Sequence, residues 1–435
     1  MSSVQPKDLN LGTNLMDLND DCLLHLLRFF GLLELIDLRG ICPRLDFLIL
    51  EITKKFTSVS LKTLGVDTME KFLKLVQFLG PSVKSLALDN LRCGFNKTRV
   101  FEWIDKYLVN LESLSNQGLA FYDSEVIEKF TPIVKRLKSL SLGSFYAYVC
   151  RDAMAKCFRN TKLEELEVIM SKHITVNFFQ YVMNLKSLTL SSCQNLTWEN
   201  YKQILKKNWG LKQLTIKVNC SEYQMMTLNE SHFLVHFIAK NMHEIEDLTL
   251  DFFCPNVYIL GDLPKLKKLK LNEFKSDQCH ADKSVMLRDI NRLLDKLSQK
   301  NIVEELDISS YDLLVDMKCL RKMTNLKKLT LYGGEYLKEI LTLIEPLDKL
   351  EELKIEFGSL DLNFLNKLVQ ILKASEERPK LQVQAYEFVD EKSLLEKLLE
   401  DNKDVIEVRF FYPGVDDYES DDFEEDEFTQ FLNSL

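Results

Sequence analysis

Two histidines four residues apart, His232 and His236, with His243 downstream, sit at a spacing that places two imidazoles on one helix face and could hold zinc. The intervening residues read HFLVH, without the glutamate that a zinc hydrolase uses as its base, and no Cys-x-x-Cys pair exists to complete a site. Ordinary helix histidines are therefore the expectation, with no metal. No Gly-x-Gly occurs, so no glycine-rich cradle for a phosphate is visible, and no Gly-x-Ser-x-Gly elbow presents a nucleophile. The residue types thus point away from catalysis: no catalytic residue, no cofactor and no enzyme activity are expected.

The remaining polar residues with informative spacing alternate with leucines. Early in the chain they are small, as in Ser113 and Ser115, Ser139 and Ser141, and Ser187 and Thr189. Later they are charged or bulky: Lys268 and Lys270, Glu305 and Asp307, Lys328 and Tyr332, Lys354, then Arg409 and Phe411. Alternation of this kind puts the leucines on one face of a strand and the polar residues on the other. Interfaces favour aromatic and arginine anchors ringed by complementary charge, so the later set is the candidate surface for a protein substrate.

The elements that carry these residues recur. The pattern LxxLxL starts at Val83, Leu111, Leu137, Leu163, Leu185, Leu211, Ile245, Leu266, Val303, Leu326 and Leu350, with weaker copies at Leu381 and Ile406. Spacings run from 21 residues (Ile245 to Leu266) to 37 (Leu266 to Val303). Between copies lie helical patterns such as 98–108, 284–300 and 197–207, the last with Thr197 as a cap. The chain resembles the leucine-rich repeat family, and LKSLTLSSCQNLT (185–197) resembles its cysteine-containing subtype. The cysteine position is elsewhere filled by Phe145, Phe253, Phe274 or Tyr311, read as core-filling side chains. The resemblance implies an α/β horseshoe solenoid, parallel strands on the concave side and helices on the convex side. Each buried leucine contributes about 1.5–3 kcal/mol, so the array is stable collectively although no single unit is.

Ahead of the repeats, residues 18–45 read LNDDCLLHLLRFFGLLELIDLRGICPRL. The order of Leu18, Asn19, Asp21, paired aliphatics at Leu23, Leu24, Leu26 and Leu27, then Glu34 and Leu35, then Ile41 and Cys42, resembles an F-box. Asn19 stands where that family has proline, and Leu45 where it has an aromatic; Asn19 or Asp20 still offers a helix cap. The resemblance implies a three-helix segment that docks a Skp adaptor, and through it a cullin–RING ubiquitin ligase. Leu18, Asn19, Asp21, Leu23, Leu26, Leu27, Leu35, Ile41 and Cys42 are its implied contacts. A helical cap for the array is the other reading of the same residues, and with it a plain protein-binding scaffold.

Domain limits follow: 1–14 disordered, 15–55 F-box-like, 56–412 repeats, 413–435 an acidic and disordered tail. The net charge of −10 is concentrated there, because residues 416–427 hold nine acids and no base, leaving 57 acids against 56 bases. A near-neutral body has no basic field to attract nucleic acid or an anionic membrane. The opening MSSVQPKDLN has neither an apolar run nor a basic cluster, and the ten cysteines are scattered. A reduced protein of the cytoplasm, the nucleus or both is expected.

Overall fold

The computed structural model describes residues 15–88, 95–116, 124–143, 151–170, 174–193, 196–218, 228–252, 256–272, 283–308, 316–332, 337–375, 378–388 and 392–410. The segments 1–14, 275–282 and 413–435, and Phe145, Phe253, Phe274, Tyr311 and Phe411 lie outside the described residues, as does the side chain of Tyr332. The chain divides into two compact units, Met1–Leu196 and Thr197–Leu435.

The first unit begins with three helices, α1 (Asp20–Leu27), α2 (Leu32–Asp37) and α3 (Pro43–Thr53). Six strands follow: β1 (Ser58–Ser60), β2 (Ser85–Ala87), β3 (Ser113–Asn116), β4 (Ser139–Gly143), β5 (Glu165–Ile169) and β6 (Ser187–Ser191). Each pairs in parallel with the next, and the repeat leucines fall opposite one another, as in Leu114 with Leu140 and Leu166 with Leu188. Because strand partners share register, Leu86, Leu114, Leu140, Leu166 and Leu188 form one row, each no more than 2% exposed. Leu61 follows β1 and opens a one-turn helix, Leu61–Leu64, where Ser60 Oγ accepts from the Thr63 N–H and Gly65 ends the turn at φ +64°.

The second unit repeats the arrangement with β7 (Gln213–Lys217), β8 (Asp247–Asp251), β9 (Lys268–Asn272), β10 (Glu305–Asp307), β11 (Lys328–Tyr332), β12 (Glu352–Leu360), β13 (Leu381–Phe388) and β14 (Ile406–Phe410). These too are parallel neighbours in chain order. The fold is therefore the expected α/β class, parallel strands separated by helical returns. Only helical returns of sufficient length join parallel strands, and unit length decides their form. The 22-residue repeat from Leu163 and the 21-residue repeat from Ile245 return through 3-10 segments, Val176–Tyr181 and Val257–Asp262. The 37-residue repeat carries the 18-residue helix Lys283–Lys300. A 3-10 turn spans more length per residue than an α-helix, which suits a short return.

Helix starts follow their caps. Thr197 and Asn200 exchange side-chain-to-backbone bonds at the start of Trp198–Lys206, with distances of 3.4 and 3.1 Å. Asp361 Oδ1 accepts from the Phe364 N–H at 2.6 Å. Cys193, at the subtype's signature position, is buried, and its thiol reaches the Val168 carbonyl at 3.8 Å. Filling the core end of a strand is what the cysteine does.

Candidate protein-docking surfaces

The N-terminal helices close a small core of their own. Leu23, Leu27, Leu35, Leu45, Leu48 and Ile49 form one cluster, each 6% exposed or less. The helix starts are locally specified: Asn19 Oδ1 accepts from the Cys22 N–H at 2.9 Å, Glu34 Oε2 accepts from the Gly31 N–H at 2.7 Å, and Pro43 opens α3. Asn19 in the proline position thus supplies a cap that proline cannot. This placement divides the expected adaptor contacts. Leu18, Asn19, Asp21, Leu26 and Ile41 are exposed and Cys42 is half-buried, whereas Leu23, Leu27 and Leu35 lie inside. Those three are buried in this conformation and hold the helices together.

The exposed face is more apolar than the expected set. Fourteen large apolar side chains are exposed among the described residues, and eight belong to residues 15–50: Leu15, Leu18, Leu26, Phe29, Phe30, Ile41, Phe47 and Leu50. Phe47 and Leu50 follow from helical phase. Leu45, Leu48, Ile49 and Thr53 face inward on α3, so residue 47 must face away. The run LDFLILEI holds too many apolar residues for that phase to be read from sequence.

These helices also touch the array. The Arg39 guanidinium lies 4.8 Å above the Phe78 ring on the helix Met69–Leu79, and Lys74 approaches Asp37 at 4.0 Å.

The second surface is the polar face of the strands in the second unit. Register sets Asp247, Lys268, Glu305, Lys328 and Glu352 side by side in one row, and Thr249, Lys270, Asp307, Thr330 and Lys354 in the next. The charges pair across strands: Lys268 with Glu305 at 2.7 Å, Lys270 with Asp307 at 2.9 Å, and Lys328 with Glu352 at 3.0 Å. Lys354 pairs with Glu356 at 3.0 Å and Arg409 with Glu407 at 2.7 Å, each along its own strand. A depression of about 300 Å³ lies over this lattice, floored by Leu269, Leu306 and Leu329 and walled by the charged rows. The expected substrate residues Lys268, Lys270, Glu305, Asp307 and Lys328 come together here, while Lys354 and Arg409 lie on neighbouring strands outside its lining.

Electrostatics follow from the pairing. Burial works against the charge on Lys270, but Asp307, Glu356 and Asp251 together outweigh it and raise its pKa. The hydrogen bond from Lys328 to Glu352 raises that lysine as well. Asp247 and Asp251 on β8 move upward, because burial disfavours their charged forms more than Lys268, or Lys217 and Lys270, restores them.

A further pattern escaped the sequence reading. The residue just before each of β2 to β12 is charged and alternates in sign within each unit: Lys84, Glu112, Lys138, Glu164 and Lys186 in the first, then Lys212, Glu246, Lys267, Glu304, Lys327 and Glu351 in the second. Backbone bonds make them neighbours, for example from the Lys138 N–H to the Glu112 carbonyl at 2.7 Å. Their side chains pair too, as in Lys186 with Glu164 at 2.6 Å and Lys267 with Glu246 at 2.8 Å. The signal is present at the second position of the eleven LxxLxL copies from Val83 to Leu350.

His232 and His236 stand with ring centroids 6.2 Å apart, and His232 Nδ1 meets Asn256 Nδ2 at 3.2 Å. Among the described residues no group of three or more His, Cys, Asp or Glu side chains is placed to hold a metal ion, and no helix is long and apolar enough to cross a membrane.

Fold and surfaces together define a leucine-rich-repeat array with an amino-terminal helical unit. Rad7, from the crystal structure of the yeast Rad7 and Elc1 complex, is similar in fold: TM-score 0.53 at 16% identity, covering 84% of this chain and 88% of that one. The leucine-rich repeat-containing protein LegL7 of Legionella pneumophila aligns at TM-score 0.41 and 16% identity, over 67% of this chain and 97% of that one. No protein-family model matches the sequence, and no curated protein sequence matches it.

Proposed function

We propose that this chain is the non-catalytic substrate receptor of a Skp–cullin–F-box type ubiquitin ligase, acting in the cytoplasm or nucleus. The N-terminal helices dock the Skp adaptor, and the strand face of the repeats carries a protein substrate. One observation carries this reading. The helices form a core against which Phe78 of the array also packs, and they still leave Leu18, Leu26, Phe29, Phe30, Ile41 and Phe47 in water. A terminal cap requires a polar outer face, and so many exposed apolar side chains on one short helical unit favour an interface. The similar yeast protein was crystallised in a complex with Elc1, and a protein partner is proposed here too. The contribution to ubiquitin transfer is proximity, since tethering raises the effective concentration of substrate lysines at the conjugating enzyme.

The contacts of Arg39 and Lys74 with the first array helix support a second reading, a scaffold whose helices serve as a cap with no role in ubiquitination. Co-expression of the full chain with a Skp adaptor separates the two. The receptor reading predicts a stoichiometric complex that Leu26→Asp with Ile41→Asp abolishes while the chain stays folded. The cap reading predicts no complex.

A further inference from the structure

We infer that Arg44 is the positioning residue of the docking face, holding the segment before α1 so that Leu18 meets the partner in a fixed geometry. This rests on the receptor reading above and deepens it.

Residues 15–18 have little to hold them. Leu15–Asp17 form a single 3-10 turn with no buried residue, and Leu15 and Leu18 are exposed. Such a turn does not persist by itself. Met16 packs half-buried against the helical core, where the Cys42 thiol stands 4.0 Å from its sulfur.

The stronger tether is Arg44, in the first turn of α3. Its Nη1 donates to the Met16 carbonyl at 2.7 Å, its Nη2 to the Leu18 carbonyl at 2.7 Å, and its Nε to Asp20 Oδ1 at 2.8 Å. One planar group therefore fixes two backbone carbonyls on one side of Asn19 and a carboxylate on the other. Lysine's three donors diverge from a single nitrogen, so it cannot reproduce the planar fork that meets these three acceptors from three separate nitrogens.

The base of this clamp is rigid. Leu45, next to Arg44, is a member of the buried cluster, so α3 cannot turn without opening that core. Phe47, one turn further along the same helix, is exposed, as is Leu18, whose carbonyl Arg44 holds. The clamp thereby presents Leu18 and Phe47 as parts of one surface. A free segment must be ordered when the partner binds, and prior ordering removes that cost. The guanidinium's hydrogen bonds go to Met16, Leu18 and Asp20 and to no member of the buried cluster, so its loss is expected to act on docking more than on folding.

The test is a double-mutant cycle on the full chain, titrating the Skp adaptor into the unaltered protein, Arg44→Lys, Leu18→Ala and the pair. Thermal unfolding and amide exchange are recorded alongside. The expected result is a roughly tenfold affinity loss for Arg44→Lys, an unchanged unfolding temperature, and faster exchange confined to residues 16–20. The double variant should bind no worse than the weaker single, because Arg44 acts through Leu18. Unchanged affinity in Arg44→Lys, or fully additive losses, overturns the positioning role while the receptor reading stands. Absence of binding by the unaltered chain overturns both.

Discussion

Replacing Leu26 and Ile41 by alanine should separate docking from folding, and the structure gives the size of the effect. Ile41 is 63% and Leu26 39% exposed in the free chain, so an apolar groove that covers them removes those fractions from water. At about 1.5–3 kcal/mol for a whole aliphatic side chain, the two contribute about 1–2 and 0.6–1.2 kcal/mol, together about 1.5–3 kcal/mol. That is roughly a 10- to 150-fold rise in Kd for the adaptor. Folding should change by no more than about 0.5 kcal/mol, because neither side chain belongs to the buried cluster. Leu23→Ala is the internal control: at 1% exposed it loses core packing, which costs about 2–5 kcal/mol. Calorimetric titration of the full chain, run below the first unfolding transition, reads affinity; amide exchange over residues 20–53 reads local stability. The reasoning is refuted if Leu26→Ala with Ile41→Ala loosens the helices as much as Leu23→Ala does, or if it leaves adaptor affinity unchanged.

Three more outcomes are expected. Reversing Lys270 or Asp307 alone sets like charges side by side, so Lys270→Glu should destabilise the second unit and Asp307→Lys added to it should restore the unfolding temperature. The swapped pair should still lose captured substrate while adaptor binding is unaffected, measured by affinity capture with both variants. Burial raises the pKa of Asp247 and Asp251 in the folded chain, so their ionisation opposes folding. Stability from these groups is present below the unfolded carboxylate range and is lost as pH rises through the raised folded values. Asp247→Asn should therefore raise the unfolding temperature at pH 7, and the gain should vanish in acid; an equal gain at both pH values would contradict it. A Cβ at Gly80 would lie 2.6 Å from the Tyr107 carbonyl oxygen. Gly80→Ala should accordingly destabilise the first unit by about 1–3 kcal/mol, measured by denaturant unfolding.

The repeat was legible because its leucines recur at the strand positions themselves, and β4, β6, β9 and β11 each begin at the third position of their LxxLxL copy and end one residue past it. Caps were equally plain, Thr197 and Asn19 among them, because short polar side chains ahead of apolar runs bond locally. Phase within the first helices was not legible. In α1, leucines occupy 23, 24, 26 and 27, so no single face stands out; folding selects 23 and 27, one turn apart, and leaves 26 outside. The charged strand residues were read one strand at a time, as free surface for a substrate. Their pairing needs inter-strand register, which the unequal loops conceal, and register shows Lys268, Lys270 and Lys328 already engaged by acids. A substrate binding there must exchange partners with an existing lattice, which favours selectivity and salt sensitivity over raw affinity.

Side-chain footprinting by hydroxyl radicals, on the full chain with and without the Skp adaptor, addresses the docking face itself. Phe29, Phe30, Ile41 and Phe47 should lose their reactivity when the adaptor is added, while Trp209 and Phe233, exposed on the second unit, should keep theirs. Undiminished reactivity at residues 29–47 in a saturated complex would contradict this.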